Sequence, residues 1–247
     1  MRPVRHLSII SLCSFLVFLS CSKPPQMVAF PKDFKVGAER LTLGVMFDPS
    51  QPFIGKPNLI NSSFGPGNPM DNFQHFFRVS FRDAVLRNSL FSRVAFTGDS
   101  IEMKSKGFSY KENYLEIKVP SEKLDRFVSD GIYYLMIVQK LTIDIVGSAN
   151  SDLSTFNRRR HGKMMIDHLG EDNNRETFIN YRLKLSAKVL IVNCSNDSVI
   201  AFGNVITDNS AADLSRSNWT ESVNEFVEEI FEGVPFGRGY EKKVGES

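Results

Sequence analysis

Three adjacent arginines, Arg158, Arg159 and Arg160, are the densest charge in this sequence, with His161, Lys163 and Asp167-His168 close by. Guanidinium groups present planar, paired donors, so such a cluster suits a phosphate, a lipid head group or a glycan acid. The competing reading is a solvated loop, because like charges repel and favour water. His161 and His168 with Asp167 lack the ligand spacing of a zinc site. His75 falls within a helix pattern and has no partner motif, so no metal ligand is expected. The sequence has no glycine-rich phosphate loop, Gly-x-Ser-x-Gly, Cys-x-x-Cys or His-Glu-x-x-His. The acid pair Glu228-Glu229 falls on the wet face of a helix pattern and makes no acid/base dyad. No catalytic residue and no cofactor are expected. That leaves the cysteines: Cys13, Cys21 and Cys194.

The N-terminus gives Cys21 its chemistry. Arg2 and Arg5 form a basic start, and residues 7–19 are almost wholly apolar, broken by serines and Cys13. The run is shorter than the roughly 20 residues that span a bilayer as a helix, and the layout is that of an export signal. Phe18-Leu19-Ser20-Cys21 resembles the lipobox of bacterial lipoproteins. The resemblance implies that residues 1–20 are removed and that Cys21 is lipidated as the mature first residue. Phe18 departs from the leucine usual there. Two other outcomes fit the same residues: cleavage after Ser22 to give a soluble secreted protein, or an uncleaved anchor. Ser22 rather than Asp after the cysteine implies, by the enterobacterial pattern, the outer membrane facing the periplasm.

The formal charge of +2 comes from 30 basic and 28 acidic residues. Loss of Arg2 and Arg5 brings the mature chain to neutrality, which argues against a nucleic-acid partner. With Cys21 lipidated, Cys194 is alone and no internal disulfide framework exists. Stability must come from a core, and a hydrophobic content of 42% is ample for one domain.

The elements follow from period. Residues 181–191 alternate apolar and polar, Ser195-Asn196-Asp197-Ser198 breaks the run, and residues 199–206 are apolar again, which reads as an antiparallel hairpin. Leu190 and Val192 suggest that its turn end is covered on both faces. Strands are also expected at residues 41–47, at 94–96, at 114–119 and at 133–145. In the last of these Tyr133, Leu135, Ile137, Leu141, Ile143 and Ile145 are read as one face, interrupted by Gln139. A helix capped by Asp71 runs to about Asn88, with Phe73, Phe76, Phe77, Ser80, Ala84 and Val85 on its core side. A closing helix capped by Asn218, with Glu221 at the capping-box position, carries Trp219, Val223, Phe226, Val227 and Ile230. The expected organisation is a signal peptide over 1–20, a lipidated tether over 21–38, one domain over 39–236 with long loops at 48–70 and 147–180, and a flexible tail over 237–247.

Two striped helices and a mainly antiparallel sheet with one apolar face make an α+β fold, a two-layer sandwich with two long helices on one face. Phe81-x-x-Ala84-x5-Leu90-Phe91-Ser92-Arg93-Val94, the strand around Tyr134-Leu135, the hairpin and the closing helix resemble auxiliary lipoproteins of ABC-type transport systems. The pattern also resembles the curli-secretion and penicillin-binding-protein-activator lipoproteins. Asn196-Asp197 departs from the glycine-containing turn usual among them. The resemblance implies a non-enzymatic envelope lipoprotein, anchored to the membrane by lipid, that binds an envelope protein partner or assembles into a complex. A lipid- or glycan-binding carrier using the two long loops is the alternative, and an unrecognised hydrolase a third.

Overall fold

The alternating run at residues 181–207 forms two long paired strands, β8 (Ile179–Asn193) and β9 (Ser198–Ala211), in antiparallel register with Ser186 opposite Ile206. Their turn is built by side chains. Asn193 Oδ1 accepts from Ser195 N–H and Asn196 Oδ1 from Ser198 N–H. Asp197 takes φ 55°, a left-handed conformation that Asn and Asp tolerate best after glycine. The computed structural model describes residues 26–29, 41–47, 53–54, 59–60, 63–64, 67–98, 101–110, 113–149, 179–238 and 240.

Around the hairpin stand β1 (Met27–Ala29), β2 (Thr42–Phe47), β3 (Phe53–Ile54), α1 (Pro69–Asn88), β4 (Arg93–Phe96), β5 (Met103–Tyr110), β6 (Asn113–Pro120), α2 (Asp125–Ser129), β7 (Tyr134–Ala149) and, closing the chain, α3 (Arg216–Glu232). The main sheet runs β1-β9-β8-β7-β2-β4, with β3 also on β7. The β1–β9, β9–β8 and β8–β7 ladders are antiparallel, whereas β2 is parallel to β7 and β4 and β3 is parallel to β7. The class is α+β, and the sheet is mixed. The β5–β6 hairpin forms a separate two-stranded sheet.

Helices α1 and α3 pack on one face. Phe73, Phe77, Phe81, Trp219, Phe226 and Ile230 bury there against Leu43, Val45, Leu185, Ala187 and Val189. The phenylalanine stripe is therefore core, held by edge-on ring contacts such as Phe73 to Trp219 at 5.1 Å and 68°. The opposite face is apolar too at its centre. Leu135, Ile137, Leu190, Val192 and Cys194 pack there with Phe127 and Leu124 around α2 and with Val119 of β6. Cover on both faces was expected at the hairpin's turn end, from Leu190 and Val192, and is seen there; elsewhere one apolar face was expected, and the second face extends into β7.

The reason lies in β7. Register shifts between Gln139 and Thr142, and Lys140 takes φ 51°. A bulge inserts one residue and swaps the faces of everything beyond it. Leu135 and Ile137 thus join the second cluster, while Leu141, Ile143 and Ile145 join the first. The single face read from residues 133–145 is two half-faces. Gln139 at the break is buried and donates from Nε2 to the Lys118 carbonyl at 3.2 Å.

Both long helices start three residues or fewer before the expected caps. Asn68 caps α1 and accepts from Met70 N–H at 3.2 Å, with Pro69 in the first turn, so Asp71 lies inside the helix and receives the Asn68 amide at 2.8 Å. Ser215 caps α3, and Asn218 is the third helical residue. Its amide reaches back to Asp213 Oδ1 at 2.6 Å. The Asp213 carboxyl is held below its ordinary value by the Ser215 hydroxyl first, then by the Ser215 N–H and the Asn218 side chain. The stretch expected to fray at the C-terminus begins with working contacts. Arg238 donates from Nε to the Ser89 carbonyl and from Nη2 to the Leu86 carbonyl, both at 3.0 Å, satisfying the end of α1.

Candidate functional site

Cys21 and the cluster Arg158, Arg159 and Arg160 lie outside the described residues, as do His161 and His168. What the structure does place is the backbone that leads to each. Met27–Ala29, inside the stretch read as tether, is the edge strand of the sheet, with Met27 opposite Gly203 and Ala29 opposite Ala201. Met27 is 1% exposed. Gln26 fixes the entry to it. Its side-chain amide receives the Ile206 N–H at 2.7 Å and donates to the Ile206 carbonyl at 3.0 Å and to Glu229 at 2.7 Å.

The end of β7 and the start of β8, which flank residues 150–178, lie side by side. Ala149 pairs with Ile179, Gly147 with Tyr181, and Tyr181 with Ala211. In antiparallel register the chain before Met27 heads towards Ala211. The base of the arginine-bearing segment and the first turn of α3 thus lie at one end of the sheet, and β1 runs with its start turned towards that end.

That end holds a polar groove of about 190 Å³, lined by Asp208, Asn209, Ser210 and Ala211 of β9 and by Asn218, Glu221, Ser222 and Glu225 of α3. Successive strand side chains point to opposite faces, so four consecutive residues can line one groove only where the strand's edge does the lining. The groove therefore runs between the β9 edge and α3, in line with the slot that β1 fills further along. Its volume is below the roughly 300–1,000 Å³ of small-molecule sites and suits a side chain.

The electrostatics are acidic. Glu229, expected on the wet face of its helix, is half-buried beside this edge, and so is Glu225. Asp208 is already engaged on the outer face, where its carboxylate takes Arg182 Nε at 3.0 Å and the Nη2 as well. Glu221 and Glu225 have no cationic partner among the described residues. Ser222 is 2% exposed and lines the groove. Asn209 Nδ2 is buried without an acceptor. No three His, Cys, Asp or Glu among the described residues converge to hold a metal. Sequence reasoning passed over this groove because its residues are spread over a strand edge and a helix with no shared motif. The one hint was a run of polar residues, Asp208 to Ser210, ending an otherwise apolar strand.

Cys194 offers no reactive thiol. It is buried and free, and its pKa is pushed up to about 12, by burial first and then by the neighbouring Asp197 charge. The thiolate is the nucleophile, so a thiol held protonated at neutral pH is inert.

No protein-family model matches the chain, and no curated protein matches it. Among solved structures it is similar to a PelC variant dodecamer from Paraburkholderia phytofirmans, at 7% identity and a TM-score of 0.33, over 83% of this chain and 96% of that one. It is also similar to a putative neuraminyllactose-binding hemagglutinin homolog from Helicobacter pylori, at 10% identity and a TM-score of 0.34, over 88% of this chain and 96% of that one. Likeness at this level assigns no function. No helix among the described residues is long and apolar enough to cross a membrane.

Proposed function

We propose that this protein is a non-enzymatic lipoprotein of the cell envelope, attached through a lipid on Cys21 and acting as a binding or assembly component of a periplasmic or outer-membrane complex, of which a transport system is one example. The observation that carries the reading is the position of β1. Only four residues separate Cys21 from Gln26, and the five extended steps between them reach roughly 17 Å. With Gln26 pinned to Ile206 and Met27 buried, a lipid on Cys21 would hold one end of the sheet against the membrane. A domain hung on a long tether would have no such orientation.

The arginines fit this arrangement. The segment carrying Arg158, Arg159 and Arg160 departs from the end that the anchor would draw to the bilayer, where anionic head groups are available. The fold itself is read as a two-layer sandwich, with α1 and α3 as the helical layer over the sheet, supported by their shared apolar cluster. The carrier alternative calls for an apolar cavity between helices and sheet. That space holds Phe73, Phe77, Phe81, Trp219 and Phe226, each at most 5% exposed, so no observation favours a carrier.

Changing Cys21 to alanine should abolish incorporation of labelled palmitate and move the protein from the membrane to the soluble fraction. A variant that still takes up label and still sediments with membranes would refute the assignment. Replacing Arg158, Arg159 and Arg160 together by serine should leave the melting curve nearly unchanged, since surface changes stay within about 0.5 kcal/mol each. Binding to vesicles of acidic lipid should weaken, and the difference should shrink at high salt. A large loss of stability would place the arginines inside the fold, and unchanged vesicle binding would make them a solvated loop.

A further inference from the structure

Past Ile206 the edge of β9 is open among the described residues. β1 covers only Ala201, Phe202 and Gly203, and the Gln26 amide then stands in for the next peptide unit by pairing with both the N–H and the carbonyl of Ile206. Before Gln26 the sequence reads Pro24-Pro25. Neither proline has an N–H to contribute to a ladder. Backbone groups along an antiparallel strand turn outward at every second residue. After Ile206, those are Asp208 and Ser210. A row of unpaired strand groups is a template for another strand, and here it opens into the acidic groove.

We propose that the β9 edge over Asp208, Asn209, Ser210 and Ala211, with Glu221 and Glu225 opposite, docks an extended lysine- or arginine-bearing segment of a partner protein, added antiparallel to β9 in line with β1. Backbone pairing at Asp208 and Ser210 supplies the register. A cationic side chain of the added strand enters the groove between the unpaired carboxylates of Glu221 and Glu225. Asn209 Nδ2, buried without an acceptor, donates to a polar atom that accompanies it, and the nearly buried Ser222 lines the same groove. The slot already accepts a strand along its first part, so the added strand meets an existing geometry. This deepens the reading of the protein as a binding component and is independent of the anchor, which palmitate labelling tests alone.

The test uses the full chain in detergent and two extended peptides, one alternating lysine and valine, the other glutamate and valine. Binding is read by fluorescence anisotropy, and strand addition by hydrogen exchange of individual backbone amides. The lysine peptide should bind and slow exchange at Asp208 and Ser210, and the glutamate peptide should do neither. Ser210→Pro removes the outward N–H at an exposed edge position and should weaken binding about tenfold, the worth of a lost hydrogen bond of ordinary strength. Glu221→Gln with Glu225→Gln, both on the helix surface, should weaken it by a similar factor and flatten its salt dependence, which keeps the proposal testable if the proline variant folds poorly. Equal binding of the two peptides, or unchanged affinity in the glutamine variant, would overturn it. So would Asp208 and Ser210 amides already protected in the free chain, which would make its own residues the occupant, or amides protected by acidic vesicles alone, which would make the occupant a membrane surface.

Discussion

Replacing Trp219 by alanine is expected to destabilise the protein by about 3–5 kcal/mol, the usual loss for a buried aromatic truncated in a core. Trp219 is fully buried, packs edge-on against Phe73, and sits in the first turns of α3 beneath the groove. Phe73 in turn meets Phe64 at 5.1 Å, and the Arg216 guanidinium lies over the Phe64 ring. Removing the indole therefore opens a cavity where α1, α3 and residues 63–64 meet. The fall in melting temperature should be on the order of 10 °C for a chain of this size. Trp219→Phe separates packing from polarity. The indole N–H is buried with no acceptor among the described residues, so its loss removes a cost, and phenylalanine should recover much of the stability. An alanine variant that melts like the wild type would place Trp219 outside the core and void the description of α3.

A second large effect is expected at Gly203. A Cβ there would lie 2.2 Å from the Gln26 carbonyl oxygen and 2.9 Å from Met27 Cα, both backbone atoms that cannot rotate away. Gly203→Val should push β1 off the sheet, at a cost of about 1–3 kcal/mol for the overpacking, with Met27 brought into solvent. Limited proteolysis should then cut near Met27, where the wild type resists. If the valine variant keeps both its melting temperature and its resistance, β1 does not lie where the short anchor requires it.

How far the sequence revealed these features depends on period. The hairpin, the phenylalanine stripe and the Trp219 helix each repeat over many residues, so their faces could be read directly. The helix starts could not be fixed to the residue, because Asn68, Asp71, Ser215 and Asn218 are all good caps and only geometry chooses among them. β1 was absorbed into the tether because three residues cannot show a period and Pro24, Pro25 and Pro31 surround it. β5 carries no strand period in the sequence, because Lys104, Ser105 and Lys106 are successive polar residues exposed on the hairpin. The bulge at Gln139 and Lys140 defeated the face assignment of β7, since a one-residue insertion leaves composition unchanged. Parallel pairing of β2 with β4 and β7 brings distant segments together and has no local signal. For the candidate site, Cys21 and the arginines could be found as motifs, whereas the β9 edge groove arises only from tertiary contact.

The account turns on what stands at the mature N-terminus. Intact mass and N-terminal fragmentation of the protein purified from membranes measure that directly. The account predicts a chain beginning at Cys21 and carrying the added mass of lipid on that residue. A chain beginning at Lys23 without lipid, or one retaining Met1, would contradict it.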